Sequence, residues 1–200
     1  SGDTGLWFRR EDGQLFLLLC DGMGSGPGAK QESAQAAKLL ENFLRAGMAA
    51  QEAVETVSSA LALRGEAGGS TTIDLLSVDL FTGKCAVHKQ GAAPTYVRRD
   101  KRIQCAVGAS LPAGIVTGEQ AKPDVHRFRG AQGDWIVMVT DGILCGRDDQ
   151  WIRDLLASYQ GDSPSDLAQR ILRQSQDLCQ GEDDGTVLAV HLERSRDPLG

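Results

Sequence analysis

The sequence lacks a long apolar run and an excess of basic residues. Its longest apolar segments, 15–20 and 135–140, fall far short of the roughly 20 residues that a bilayer-spanning helix needs. We therefore expect a soluble, cytoplasmic domain that makes no membrane contact of its own. With 21 Lys and Arg against 27 Asp and Glu, and a net charge of -6, the chain is not expected to bind nucleic acid.

Metal-binding and disulfide patterns based on cysteine or histidine are also absent. The five cysteines are widely spaced without a C-x-x-C pair, and the three histidines form no H-E-x-x-H motif. This spacing predicts neither a disulfide framework nor a zinc site. We expect the cysteines to be small buried residues in a reducing compartment, and the histidines to be structural or surface residues.

The segments that are present predict an α+β domain. Short apolar runs predict strands at 15–20, 71–80, 84–90, 95–99, 102–107, 125–128, 135–140 and 187–193, those within 71–107 forming an antiparallel meander. Apolar residues three and four apart predict helices at 29–46, 50–64, 151–159 and 163–178. Strands in a block and helices in two pairs argue for layers within one domain, 1–200, and against a doubly wound parallel sheet.

Aspartates at strand ends are the strongest indication of chemistry. Asp21 and Asp141 each end a predicted strand and precede a glycine, and the adjacent Asp183 and Asp184 lie just before the last strand. Carboxylates fixed in this way suit hard divalent cations, and two adjacent carboxylates repel unless a cation neutralises them. A plain Asp-Gly turn is the alternative at each position.

A glycine-rich loop at 22–28 allows a second interpretation. Residues 24–29 fit the G-x-G-x-x-A pattern of dinucleotide-binding loops. That pattern requires a strand after the first helix, whereas a second amphipathic helix is predicted here. The dinucleotide interpretation is therefore the weakest of those considered.

Seven sequence blocks, in order along the chain, resemble the metal-dependent type 2C (PPM) protein phosphatase family, in its bacterial stage II sporulation protein E branch. The blocks are SGD at 1–3, DGMGSG at 21–26, GSTT at 69–72, GAAP at 91–94, LPAGI at 111–115, TDG at 140–142 and DDGT at 183–186. The resemblance implies a four-layer αββα sandwich in which two mainly antiparallel sheets are flanked by helix pairs.

The resemblance also implies two Mn²⁺ or Mg²⁺ ions as cofactors. Asp21 would bridge both ions and Gly22 would offer its carbonyl oxygen to one of them. Asp141 and Asp183 would bind the other ion, and Asp3 would act at the edge of the first site, largely through water. Asp21, Asp141 and Asp183 are thus the expected catalytic residues.

The implied activity is hydrolysis of phosphoserine or phosphothreonine by a water activated between the two ions, without a covalent enzyme intermediate. The expected substrate is a partner-switching regulator of the anti-sigma-factor-antagonist type. A stress-response phosphatase and a low-activity binding domain of the same fold are the alternatives, and a homodimer is one option for assembly. Met23 replaces a histidine of eukaryotic relatives, so water must protonate the leaving oxygen. The chain would be part of a longer protein, membrane-anchored in this branch.

Overall fold

The computed structural model describes residues 2–24, 26–64, 69–180 and 185–194. Within these ranges nine strands form two antiparallel sheets, and helices cover the outer face of each sheet. None of the helices described there is long and apolar enough to cross a lipid bilayer.

The first sheet has five strands in the order β1-β2-β3-β4-β7. Their bounds are Asp3–Arg9, Gln14–Asp21, Ile73–Asp79, Lys84–Gln90 and Asp124–Arg129. Phe16 and Leu18 of β2 pack toward the first helix pair, whereas Leu17 and Leu19 pack toward the second sheet. β2 is apolar without alternation because both of its faces are covered.

The second sheet has four strands in the order β6-β5-β8-β9. β5 spans Thr95–Arg99, β6 spans Arg102–Ala106, β8 spans Trp135–Val139 and β9 spans Val187–His191. The two sheets face each other across an apolar cluster. Its buried members are Leu17, Leu19, Leu76, Val78, Cys85, Val87, Val97, Ala106, Ile136 and Met138.

Two helix groups complete the four layers. α1 (Pro27–Arg45) and α2 (Ala50–Ala62) pack on the first sheet, and α4 (Gln150–Ser158) and α5 (Pro164–Cys179) pack on the second. A single turn, α3 (Asp141–Leu144), follows β8, and a 3₁₀ turn spans Gly118–Ala121. The predicted αββα sandwich is confirmed, with most element ends within two residues of the prediction.

Three short elements were not predicted and one pairing was predicted wrongly. The sequence did not indicate β1, α3 or the 3₁₀ turn Gly118–Ala121. The predicted meander breaks after β4, because β4 pairs with β7 while β5 pairs with β6 and β8 of the other sheet. Local patterning identifies a strand but does not identify its partner, and stacking of the two apolar sheet faces decides the pairing here.

The cysteine prediction was also wrong. Cys145 and Cys179 form a disulfide, with their Cα atoms 5.9 Å apart. The remaining cysteines, Cys20, Cys85 and Cys105, are free, and the first two are buried as expected. The pairing escaped prediction because the two cysteines are 34 residues apart and meet only when α5 packs beside α3.

Candidate metal centre

Asp3 and Asp21 lie side by side at one end of the first sheet. They are direct partners in the antiparallel register of β1 and β2, and direct partners point to the same face of a sheet. Leu19 is two residues before Asp21 and belongs to the cluster between the sheets, so this face looks toward the second sheet. The strand pair therefore presents two carboxylates at the edge of the space between the sheets.

Asp141 reaches the same region from the second sheet. β8 ends at Val139, Thr140 is extended, and Asp141 is the first residue of α3. Asp21 and Asp141 line one small cavity of about 10 Å³. Stacking of the sheets thus brings together three of the aspartates that the sequence singled out.

The electrostatics of this cluster are unfavourable without a cation. The pKa of Asp21 is raised to about 8, first by burial and then by the neighbouring carboxylates of Asp141 and Asp3. A carboxyl group that holds its proton near neutral pH because other carboxylates surround it is a good ligand for a hard cation, which supplies the missing positive charge. The donor set therefore fits Mn²⁺ or Mg²⁺.

Two threonines fix Asp3 from the opposite sheet. Thr140 Oγ1 donates to Asp3 Oδ2 at 2.9 Å, and Thr186 Oγ1 donates to the same oxygen at 2.7 Å. The Thr186 N–H in turn donates to Thr140 Oγ1 at 2.9 Å. Neither threonine was recognisable from the sequence as a contact of Asp3, although both belong to the blocks that carried the family resemblance.

The main chain of Asp21 is held by the threonine pair of the GSTT block. The Asp21 N–H donates to Thr72 Oγ1 at 3.0 Å, and the Thr72 N–H donates to the Asp21 carbonyl at 2.8 Å. Thr71 Oγ1 donates to the same carbonyl at 2.9 Å. These bonds fix the direction in which the Asp21 side chain leaves the strand.

Gly22 occupies a position where no side chain fits. It is buried, and a Cβ at this position would overlap the carbonyl of Ala29 in α1. Its N–H donates to the Gly2 carbonyl at 3.2 Å. The absence of a side chain therefore lets α1 lie directly against the strand end that carries Asp21.

A buried ion pair that the sequence analysis missed lies beside the carboxylates. Asp74 of β3 and Lys89 of β4 are direct cross-strand partners, and Lys89 Nζ lies 2.7 Å from Asp74 Oδ2. Asp74 lines the same cavity as Asp21 and Asp141. The available indication was an acid and a base, Asp74 and Lys89, placed near the ends of two predicted neighbouring strands.

Asp183 and Asp184 lie outside the described residues. Within the described ranges, no group of three or more His, Cys, Asp or Glu side chains is placed so that it could hold a metal ion by itself. A complete centre would need further oxygens besides those of Asp3, Asp21 and Asp141, from Asp183 or from the main chain and water. The role of Asp183 remains a prediction.

The dinucleotide interpretation is contradicted by the fold. α1 is followed by α2 and not by a strand, and the sheets are antiparallel. A dinucleotide-binding unit needs a parallel strand after its first helix.

Comparison with known proteins agrees with the resemblance read from the sequence. The family model described as stage II sporulation protein E (SpoIIE) matches residues 11–193. Stage II sporulation protein E from Bacillus subtilis (strain 168) is 28% identical over 202 residues, covering 98% of this chain and 24% of that protein. The chain therefore spans about a quarter of the length of this curated relative.

Solved structures show the same fold. The PP2C phosphatase domain and regulatory-domain fragment of SpoIIE from Bacillus subtilis matches with a TM-score of 0.90 at 27% identity, covering 98% of this chain and 59% of that one. RsbX in complex with magnesium matches with a TM-score of 0.74 at 19% identity, covering 94% of this chain and 85% of that one.

Proposed function

The chain belongs to the stage II sporulation protein E family and is a PP2C-type serine/threonine phosphatase domain, and on that premise we propose that it removes phosphate from a phosphoserine or phosphothreonine of a partner protein. The observation that carries the proposal is the meeting of Asp3, Asp21 and Asp141 at the edge of the two sheets, with the pKa of Asp21 raised to about 8. Carboxylates gathered in this way repel one another in the metal-free protein, and a bound cation would neutralise that repulsion.

We propose that two Mn²⁺ or Mg²⁺ ions bind to Asp21, the Gly22 carbonyl, Asp141 and Asp183, with Asp3 at the edge. The chemistry that such ions supply when bound is a lowered pKa of water and neutralisation of charge on phosphoryl oxygens. The described side chains support this role, since they are oxygen donors held by the main-chain and threonine contacts above.

The protein's own part in the reaction is to hold its carboxylates in fixed positions. Thr140 and Thr186 hold Asp3, and Thr71 and Thr72 hold the main chain of Asp21. Phosphoryl transfer depends on positioning and electrostatic stabilisation rather than on covalent chemistry by the protein. The proposal therefore assigns the attack to water and gives no nucleophilic role to serine or cysteine.

The substrate we propose is a phosphorylated partner-switching regulator of the anti-sigma-factor-antagonist type. Family membership is the support for this choice, and a stress-response regulator of the same type is the alternative.

We further propose a cytoplasmic location for the domain and self-association as a homodimer. Trp7 supports the homodimer, because it is 66% exposed and lies on the edge strand β1. Gel filtration coupled to light scattering tests this assembly.

The test is phosphate release from an aryl phosphate and from a phosphoserine protein, with Mn²⁺ and with a chelator. We expect turnover that requires Mn²⁺ and is abolished in Asp141→Asn. The exposed Asp154→Asn on α4 is the matched control and should keep wild-type turnover. Mn²⁺-independent turnover would contradict the metal mechanism, and a chain that binds Mn²⁺ without turnover would favour a low-activity binding domain.

A further inference from the structure

The buried pair Asp74 and Lys89 has one oxygen that the pair itself does not use. Both side chains are almost completely buried, at 1% and 0% accessibility. Asp74 Oδ2 accepts from Lys89 Nζ at 2.7 Å and from Thr95 Oγ1 at 2.8 Å, and Lys89 Nζ also donates to Thr95 Oγ1 at 2.8 Å. Asp74 Oδ1, by contrast, is buried without a hydrogen-bond partner among the described residues.

Stability alone does not explain this arrangement. Burial raises the pKa of Asp74 and lowers the pKa of Lys89, so desolvation opposes the charge on both groups. A buried ion pair is often no more stabilising than apolar residues of similar volume. An unpartnered carboxylate oxygen makes the pair less favourable still.

The position of the pair relates it to the candidate metal centre. Asp74 lies opposite Leu19 in the β2–β3 register, and Asp21 is two residues further along the same face of β2. Such diagonal neighbours have Cα atoms roughly 7–8 Å apart, a separation that one water can bridge. The cavity that Asp74 shares with Asp21, Thr72, Thr140 and Asp141 measures about 10 Å³, and one water needs about that volume and two to four polar partners.

We propose that Asp74 is a positioning residue of the metal centre: its Oδ1 holds a water that hydrogen-bonds to the carboxylate of Asp21, and Lys89 holds Asp74 in the orientation that this contact requires. The inference rests on the proposed function, because Asp21 is the ligand being positioned. Groups that orient metal ligands typically change metal affinity or activity by about 10–100-fold when they are removed.

The first test is the affinity for Mn²⁺, measured by isothermal titration calorimetry on wild type and Asp74→Asn. The asparagine keeps the shape of the side chain, and we expect Mn²⁺ binding to weaken by about 10–100-fold. Asp134→Asn is the matched control, since Asp134 is equally buried and pairs with Arg99 at 2.7 Å. Asp134 lies just before the first residue of β8, whereas the candidate metal centre lies beyond the last residue of this strand. Asp134→Asn should lower folding stability without changing Mn²⁺ affinity.

A second variant, Asp74→Leu with Lys89→Met, separates positioning from structural support. If the pair only supports the fold, this apolar replacement should fold and bind Mn²⁺ like the wild type. If the pair positions Asp21, it should fold and still bind Mn²⁺ about 10–100-fold more weakly. The inference is overturned by wild-type Mn²⁺ affinity in either variant, or by failure of both to fold, which would make the pair structural.

The result for the wild type distinguishes this inference from the proposed function. Wild-type protein that binds no Mn²⁺ would contradict the proposed function and this inference with it. Wild-type protein that binds Mn²⁺ and releases phosphate, together with Asp74→Asn that binds equally well, would overturn this inference alone.

Discussion

Asp3 lies directly opposite Asp21 in the β1–β2 register, so two carboxylates that repel as cross-strand neighbours meet at the end of the first sheet. With burial and Asp141, this contact raises the pKa of Asp21 to about 8. A divalent cation would remove the conflict. The same cluster should therefore destabilise the metal-free protein and support binding of the metal.

Replacing Asp21 with asparagine should change stability in opposite directions with and without metal. Without metal at pH 8, Asp21→Asn should melt at a higher temperature than the wild type, because one repelling carboxylate is gone. Mn²⁺ at 100 times its dissociation constant should stabilise the wild type by about 2.7 kcal/mol, and should stabilise the variant much less. Thermal melts with Mn²⁺ and with chelator measure both effects, and an equal Mn²⁺ response would contradict Asp21 as a ligand.

The raised pKa of Asp21 predicts a pH dependence of definite sign. The folded pKa of about 8 lies above the ordinary value of 3.8, so the folded state binds the proton more tightly than the unfolded state does. The Asp21 contribution to metal-free stability is complete below about pH 4 and is lost as pH rises toward 8. Mn²⁺ must displace this proton, so Mn²⁺ affinity should increase between pH 6 and 8, by up to about tenfold per unit for one released proton.

Calorimetric titration with Mn²⁺ at pH 6, 7 and 8 measures this dependence. Asp21→Asn is the control, because its amide has no proton that titrates in this range, so its weaker Mn²⁺ binding should vary less with pH. A wild-type affinity that stays constant over this range would show that the proton on Asp21 is not coupled to metal binding.

The sequence predicted the layers well because their elements have strong local patterns. β2 is recognisable since both of its faces are buried and its apolar run is continuous. β1 was missed because it is an edge strand with a short apolar pattern next to charged residues. Its exposed Trp7 lies between Leu6 and Phe8, which pack into the core. The hydrophobic pattern is weakest where only one neighbour covers a strand.

Within the site, the sequence indicated the candidate metal ligands better than the groups that hold them. Asp21 and Asp141 were recognisable because each ends a predicted strand and precedes a glycine. The threonine contacts to Asp3 join residues 137 and 183 positions apart, and nothing local at Thr140 or Thr186 specifies them. Contacts of this kind exist only after the two sheets have stacked.

Gly22→Ala should damage the candidate metal centre without removing any proposed ligand. The new Cβ would overlap the Ala29 carbonyl, so α1 and the end of β2 must separate. We expect lower thermal stability and weaker Mn²⁺ binding by calorimetry. Gly28→Ala is the matched control, because a Cβ at this position meets nothing within 4 Å. Gly28 lies in α1, and alanine is more favourable than glycine in a helix by up to about 1 kcal/mol. Equal behaviour of the two variants would contradict the tight contact at Gly22.

Reduction of the Cys145–Cys179 disulfide should destabilise the protein. The bond joins the end of α3, four residues after Asp141, to the end of α5 and closes a loop with a sequence separation of 34. Such a cross-link restricts the unfolded chain and typically contributes about 2–4 kcal/mol. Urea unfolding with and without a phosphine reductant should show a loss of that size in the wild type and in Cys105→Ser, but not in Cys145→Ser.

Counting thiols checks the same bond. Denatured, unreduced protein should have three reactive thiols out of five cysteines. Five reactive thiols and an unchanged urea midpoint on reduction would show that the bond does not form in solution.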